Sequence, residues 1–251
     1  MNKKWIIRIV FIVLLANTAL SLAQQVFPLP TFNVGVGQAT KPKQVAVTLQ
    51  TLALITILTL APAIVMMTTA FVRISVVFMF IGRALSTQQI PPHQVIMGLS
   101  LFLTFFVMAP VLKQVNDDAL TPYFQQKISA KEMYIKGIQP VRKFMFKQTH
   151  EKDIALFVHL AKVKRPKNRS EVPTYVLIPA FMISELRTAF EIGILLFIPF
   201  VVIDLIVASV LMSMGMIMLP PIMISLPLKL LLFVLVDGWH LITYSLIQSF
   251  H

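Results

Sequence analysis

Residues 175–248 read YVLIPAFMISELRTAFEIGILLFIPFVVIDLIVASVLMSMGMIMLPPIMISLPLKLLLFVLVDGWHLITYSLIQ, a run that is almost entirely apolar. The run nevertheless holds six charged side chains. Charges in sequence this hydrophobic are costly, so they normally face a partner or a water-filled path. The six embedded charges are Glu185, Arg187, Glu191, Asp204, Lys229 and Asp237.

The composition of the whole chain is that of a membrane protein. Of its 251 residues, 57% are hydrophobic and 13% are charged, whereas a soluble domain carries roughly 25% charged residues. The net charge is +12, and 13 of the 22 Lys and Arg residues lie between Lys113 and Arg169, alternating with apolar residues. This pattern favours a solvated loop or small domain over a nucleic-acid site, with anionic lipid headgroups as the alternative contact. The absence of cysteine excludes disulfides and thiolate metal sites.

The N-terminus predicts an extracytoplasmic start. Residues 1–23 combine a basic beginning, a short apolar run and a small-x-small sequence ending at Ala23, which is typical of a cleaved signal peptide; a retained anchor is the alternative. Residues 24–44 are rich in proline and polar residues and predict an extracytoplasmic linker. Five apolar segments follow, each containing or flanked by proline: residues 45–80, 95–112, 175–200, 203–219 and 222–247.

These segments predict three regions after the linker. Residues 45–112 form an apolar helical hairpin region, in which 45–80 is too long for one straight helix and is interrupted by Pro62. Residues 113–174 form a basic region of amphipathic helices, and residues 175–251 form apolar helices with a methionine-rich loop. The signal peptide places the basic region outside the cytoplasm, whereas its positive charge favours the cytoplasm; we follow the signal peptide.

The spacing of the embedded charges supplies only one local pair. Arg187 and Glu191 are four residues apart, so they can pair along one helix face. Glu185 lies on the other side of that helix, and Lys229 has no acid three or four residues away. We therefore predict that Glu185 pairs with Lys229. The alternative is that both side chains face a polar lumen. Asp204 and Asp237 also need partners, for which Arg73 and Arg83 are candidates.

Four methionines recur at every second residue: Met212, Met214, Met216 and Met218. A helix would scatter them over opposite faces, whereas an extended or loop-like backbone would put them on one side. Non-helical backbone at membrane depth is tolerated only when it is buried in protein or lines a cavity. Methionine side chains conform to irregular surfaces, so a ring of such loops would seal a pore softly. Ordinary core filling is the alternative.

The sequence carries no pattern typical of an enzyme. Its five histidines lack metal-ligand spacing, and it has no phosphate loop, dinucleotide glycine pattern or nucleophile elbow. Asp204 and Asp237 would suit an intramembrane aspartyl protease, but the glycine-rich sequence expected around the second aspartate is missing. We therefore predict no catalytic residue, no metal site and no cofactor.

Several long stretches resemble the FliP family of type III secretion export-gate proteins. Residues Pro179–Ile194 (PAFMISELRTAFEIGI) and Pro199–Ser209 (PFVVIDLIVAS) are similar to the two family signatures. The similarity continues through Leu211–Trp239 and extends backward through Leu101–Pro110 and Thr87–Pro92. It therefore covers about residues 47–250.

The resemblance implies an all-α membrane protein whose proline-kinked helical hairpins assemble into a helical, ring-shaped export gate. Family members form a ring of five copies with FliQ and FliR in the bacterial inner membrane, at the flagellar basal body. The resemblance also implies contact with FlhB, with other export-apparatus proteins and with unfolded flagellar substrates. The family's gasket loop falls on Met212, Met214, Met216, Ile217 and Met218, with Ile217 standing where the family has methionine. Its inter-helix ion pair falls on Glu185 and Lys229.

We therefore expect a core subunit of the flagellar type III export gate. The signal peptide and the N-terminal arm favour the flagellar branch over the injectisome branch. A secondary transporter of a small solute is the alternative from another class, because it would also use embedded carboxylates and broken helices. About five apolar segments without a repeated half count against that alternative, and a purely structural scaffold would not explain the methionine spacing.

Overall fold

The computed structural model describes residues 42–87, 91–163, 166, 168–216 and 218–250. The predicted signal peptide and all but the last three residues of the predicted linker lie outside this part of the chain. Every regular element in the described part is helical, which confirms the predicted all-α fold. Contacts divide the chain into residues 1–53 and 54–251, and the second unit contains everything discussed below apart from the start of the first described helix.

The predicted segment 45–80, expected to form one kinked helix or a helical hairpin, is divided between two helices. Helix α1 spans Pro42–Met67 and continues through Pro62, and helix α2 spans Phe71–Ala84. The two are separated by three residues, Thr68 to Ala70. Helix α3 spans His93–Val115 and includes the whole predicted second segment.

The basic region contains short helices that continue from α3. A π-helical turn, Asn116–Leu120, leads into helix α4 at Thr121–Phe124. Helix α5 spans Ala130–Gln148, helix α6 spans Glu151–Leu160, and a 3₁₀ turn covers Arg169–Glu171.

A capping box fixes the start of α5. The backbone N–H of Glu132 donates to the Ser129 hydroxyl, while the Glu132 carboxylate accepts from the backbone N–H of Ser129. Each partner satisfies a donor that the first helical turn leaves unpaired. The Glu132 carboxylate accepts hydrogen bonds from the Ser129 backbone N–H and from the Ser129 hydroxyl, and these two bonds, the backbone one first, lower the pKa of the Glu132 carboxyl from its ordinary value.

Helix α7, Thr174–Ser213, is the central element and has 40 residues. It joins two segments that the sequence predicted to be separate, because it runs through Pro199 without ending. Apolar helices tolerate proline where neighbours re-satisfy the freed backbone groups, and α7 packs against α2, α5, α6 and α8. Helix α8 spans Pro221–Leu235.

The core lies where α7 meets the helices around it. Phe78 and Ile81 of α2, Met145 of α5 and Phe181 of α7 are almost fully buried there. Helix α9, Gly238–Gln248, brings the C-terminal end of the chain to the same cluster through the buried Leu246.

Three helices are long and apolar enough to cross a membrane. They include residues 48–67 of α1, residues 93–124 and all of α7. Helices α8 and α9 would supply a fourth span if counted together, although they meet at an angle of 64°.

Candidate functional site

Glu185 of α7 is paired with Arg73 of α2 deep in the protein. The two side chains make a bidentate ion pair in which Arg73 Nε lies 2.9 Å from Glu185 Oε2 and Arg73 Nη2 contacts Glu185 Oε1. Glu185 is fully buried and Arg73 is 2% exposed. Parallel hydrogen bonds of this kind fix orientation as well as charge.

Arg73 also binds the C-terminal end of the chain. Its Nη1 donates to the Ser249 carbonyl at 2.9 Å and to the Ser249 hydroxyl at 3.1 Å, and its Nη2 donates to Gln148 Oε1 at 3.0 Å. The guanidinium carbon lies 4.1 Å from the centre of the Phe250 ring. One buried cation therefore joins α2, α5, α7 and the residues that follow α9.

Lys229 of α8 is paired with Asp204 of α7. Lys229 Nζ donates to Asp204 Oδ2 at 2.6 Å, to the Ser86 hydroxyl at 2.7 Å and to the Ala84 carbonyl at 3.3 Å. An ammonium group has three protons, and all three are used. The Ser225 hydroxyl donates to the other Asp204 oxygen at 2.6 Å, so this cluster ties α8 to α7 and to the end of α2.

The predicted Glu185–Lys229 pair is therefore wrong within this chain. Glu185 and Asp204 lie nineteen residues apart on the continuous helix α7, which is about 28 Å along its axis. Helix α2 brings Arg73 to the first position and helix α8 brings Lys229 to the second. The sequence correctly indicated that both charges need distant partners but assigned the wrong ones.

Arg187 also pairs with a different residue from the predicted Glu191. Its Nη2 lies 3.0 Å from Oδ1 of Asp153 on α6, and its Nη1 lies 3.2 Å from Oδ2. The buried Asp153 carboxylate accepts a further hydrogen bond of 2.6 Å from the Ser184 hydroxyl. Glu191 is exposed. Sequence reasoning missed Asp153 because it assigned the whole basic region to solvent.

Asp237 is exposed and lies in the break between α8 and α9. Its backbone is left-handed, with φ of 50°, a conformation in which aspartate is more frequent than most residues. Its backbone N–H donates to the Val234 carbonyl, and its own carbonyl accepts from Leu241. Its observed role is therefore to form the turn.

The methionine run begins inside α7 and continues into a loop. Met212 is helical, and the helix ends through Gly215, whose φ is +75°. The Gly215 N–H donates to the Met212 carbonyl and the Met216 N–H to the Leu211 carbonyl, which is the Schellman pattern of a helix end. The segment predicted to be extended or loop-like is thus a helix cap followed by a short loop. Ile217 lies outside the described residues.

The loop methionines are exposed in the single chain. Met218 is 98% exposed, and Met212 and Met214 are about two-thirds exposed. Single exposed apolar residues are ordinary, but here several lie together at the tip between two apolar helices and form an exposed apolar patch. The described residues contain no cluster of His, Cys, Asp or Glu that could hold a metal ion.

Comparison with known proteins identifies the family. Residues 54–246 match the family model described as the FliP family. The chain is 52% identical over 217 residues to the flagellar biosynthetic protein FliP of Bacillus subtilis, covering 86% of this chain and 98% of that protein. It is 56% identical over 210 residues to the protein of the same name from Borreliella burgdorferi, covering 82% and 83%. It is 51% identical over 218 residues to the flagellar biosynthetic protein FliP of Caulobacter vibrioides, covering 87% of this chain and 80% of that protein. The chain therefore belongs to the FliP family.

Proposed function

We propose that the chain is a core subunit of the flagellar type III protein export gate, through which unfolded flagellar substrates leave the cytoplasm. The main support for this proposal is the family match, because the relatives named above are flagellar biosynthetic proteins. Three helices of membrane-spanning length support a place in the bacterial inner membrane at the flagellar basal body. The chain would do no covalent chemistry itself.

The exposed faces of the single chain support a role in a larger assembly. None of the apolar window within residues 48–67 of the membrane-length helix α1 is buried. On α3, the side chains of Phe102, Phe105 and Phe106 are all exposed. Surfaces of this kind need lipid or protein to cover them. Several copies of the chain, five in the proposed ring, would assemble with FliQ and FliR. FlhB and other export-apparatus proteins would be further partners.

The methionine loop would form the constriction of that assembly. The Schellman cap at Gly215 fixes where α7 ends, and the Asp204–Lys229 ion pair ties α7 to α8 below the loop. A rigid hairpin would thus present a soft tip, because methionine is flexible and polarisable. In a ring, one tip from each copy would close the pore to ions and separate around an exported chain.

The experiment is a conductance measurement on the assembled gate in planar bilayers. Replacing both Met216 and Met218 by alanine should leave assembly intact and increase the leak of small ions, because the constriction loses side-chain volume. The matched control replaces Met223, which is 70% exposed on α8 outside the loop. Unchanged conductance in the double variant would remove the gasket role, and an equal leak in the control would show that the effect is not specific to the loop.

A further inference from the structure

We propose that Arg142 and the cations beside it form a binding site for a phosphate group, supplied either by an anionic phospholipid headgroup or by free phosphate. A cavity of about 430 Å³ lies between α5 and the turn that precedes α7, a volume within the usual range for ligand sites. We call it the cationic cavity. Its lining residues are Gln139, Arg142, Lys143, Phe146, Lys147, Arg169 and Ser170.

Arg142 is a buried cation whose hydrogen-bond partners are all uncharged. Its Nη1 donates to the Thr174 hydroxyl at 2.5 Å, and its Nη2 donates to the carbonyls of Val172 at 2.7 Å and Ser170 at 3.3 Å. It is 7% exposed, and burial lowers the pKa of its guanidinium from the ordinary value. Buried charges are normally paired with an opposite charge, so the protein holds this guanidinium in place without neutralising it.

The guanidinium keeps two of its five N–H donors for a ligand, one on Nε and one on Nη1, because described residues accept only three. No hydrogen bond from Nε of Arg142 is formed, and in the described part of the chain no fully buried side-chain nitrogen lacks a partner. The Nε atom is therefore not fully buried. A guanidinium that is already fixed by three hydrogen bonds loses little freedom when it binds an anion, and its planar donors suit phosphate oxygens.

Three further cations line the cationic cavity. Lys143 and Lys147 are four residues apart on α5, so they lie on the same helix face. Arg169 enters from the 3₁₀ turn and has an exposed ion pair with Glu151 at 3.2 Å, and exposed pairs of this kind are weak. The ammonium groups and the guanidinium can therefore turn towards a shared anion.

The position of the cavity explains why a headgroup would reach it. Thr174, which accepts from Arg142, is the first residue of α7, and α7 is long and apolar enough to cross a membrane. Phosphates lie at the ends of such helices, and basic pockets there bind anionic headgroups. The positive end of the α7 dipole adds to the attraction.

The test uses the full chain in a neutral mild detergent and isothermal titration calorimetry. The probes are inorganic phosphate and a short-chain phosphatidylglycerol, with short-chain phosphatidylcholine as the neutral reference. The variant Lys143→Gln with Lys147→Gln removes two exposed charges from the cavity and leaves the buried Arg142 intact. The control, Lys131→Gln with Lys136→Gln, removes two exposed charges from the same helix outside the cavity.

The expected result is that phosphatidylglycerol binds more tightly than phosphatidylcholine. The cavity variant should bind it at least about tenfold more weakly, which corresponds to the loss of one charge-assisted hydrogen bond, while the control binds normally. Binding of inorganic phosphate with the same loss would identify free phosphate as a source. Absence of binding by both probes, or an equal loss in the cavity variant and the control, would overturn the proposal.

Discussion

Replacing Glu185 by leucine should be among the most destabilising single changes in the chain. It would leave the Arg73 guanidinium, which is 2% exposed, without its carboxylate. Removing one partner of a buried ion pair typically costs roughly 3–5 kcal/mol, because the other charge is left uncompensated. We expect a loss of that size in the free energy of unfolding.

Removing both charges should restore part of this loss. An apolar replacement of a whole buried pair is often neutral or stabilising, but Arg73 also donates to the Ser249 carbonyl and to Gln148. Each acceptor left unpaired costs about 1–3 kcal/mol if it stays buried. The variant Arg73→Met with Glu185→Leu should therefore be clearly more stable than the sum of the two single losses predicts, though less stable than the parent chain.

The assay is equilibrium unfolding of the full chain in mixed detergent micelles, with Glu185→Leu measured in two double-mutant cycles. The cycle with Arg73→Met should give a large coupling energy. The cycle with Lys229→Met should be additive within roughly 0.3–0.5 kcal/mol, because the two residues share no partner. A stronger coupling of Glu185 to Lys229 than to Arg73 would show that Arg73 is not the main partner of Glu185.

Further predictions concern packing and helix ends. In Gly193→Ala the new Cβ would lie 2.6 Å from the Phe80 ring, so overpacking should destabilise the chain by about 1–3 kcal/mol. Gly98→Ala, where nothing lies within 4 Å, should instead stabilise α3 by up to about 1 kcal/mol; thermal melts compare the two. Ser129→Ala should weaken α5 by about 0.5–2 kcal/mol, measured by hydrogen exchange in its first turn. Acidification should also weaken the first turn of α5, because the folded-state pKa of Glu132 is lowered. The contribution of the Glu132 carboxylate to stability is present above the ordinary pKa of glutamate and is lost as the pH falls through the lowered value.

The sequence predicted the helical class and the family but not the lengths of the helices. Proline in an apolar segment was expected to end or kink a helix. Pro199, however, neither ends α7 nor separates two helical segments. Whether a proline ends a helix depends on whether packing can satisfy the freed carbonyl, and that depends on neighbours that are distant in the sequence. Helix α1 likewise continues through Pro62 and ends at Met67.

The embedded charges show the same limit for the site. Their cost in apolar surroundings was enough to predict that each needs a partner, and Glu185, Lys229 and Arg187 all have one. Which partner each takes was not predictable, because periodicity describes one helix and these pairs join different helices. Pairing Glu185 with Lys229 required α7 to end early, and the continuous helix keeps them apart.

The methionine run was predicted more closely than the ion pairs. Spacing and the following prolines indicated an irregular segment, and the loop after Ser213 agrees with that. Met212 belongs to the helix instead, because Gly215 rather than the prolines ends α7. Gly215 is the sequence feature that marks this boundary, because glycine readily adopts the left-handed conformation that ends a helix.

The most direct test of the central claim is native mass spectrometry of this chain, co-expressed with FliQ and FliR of the same bacterium and extracted in mild detergent. We predict a particle that holds several copies of the chain, five if the family ring forms, together with both smaller partners. A monomer or dimer free of partners, from a preparation in which all three proteins are present, would contradict it.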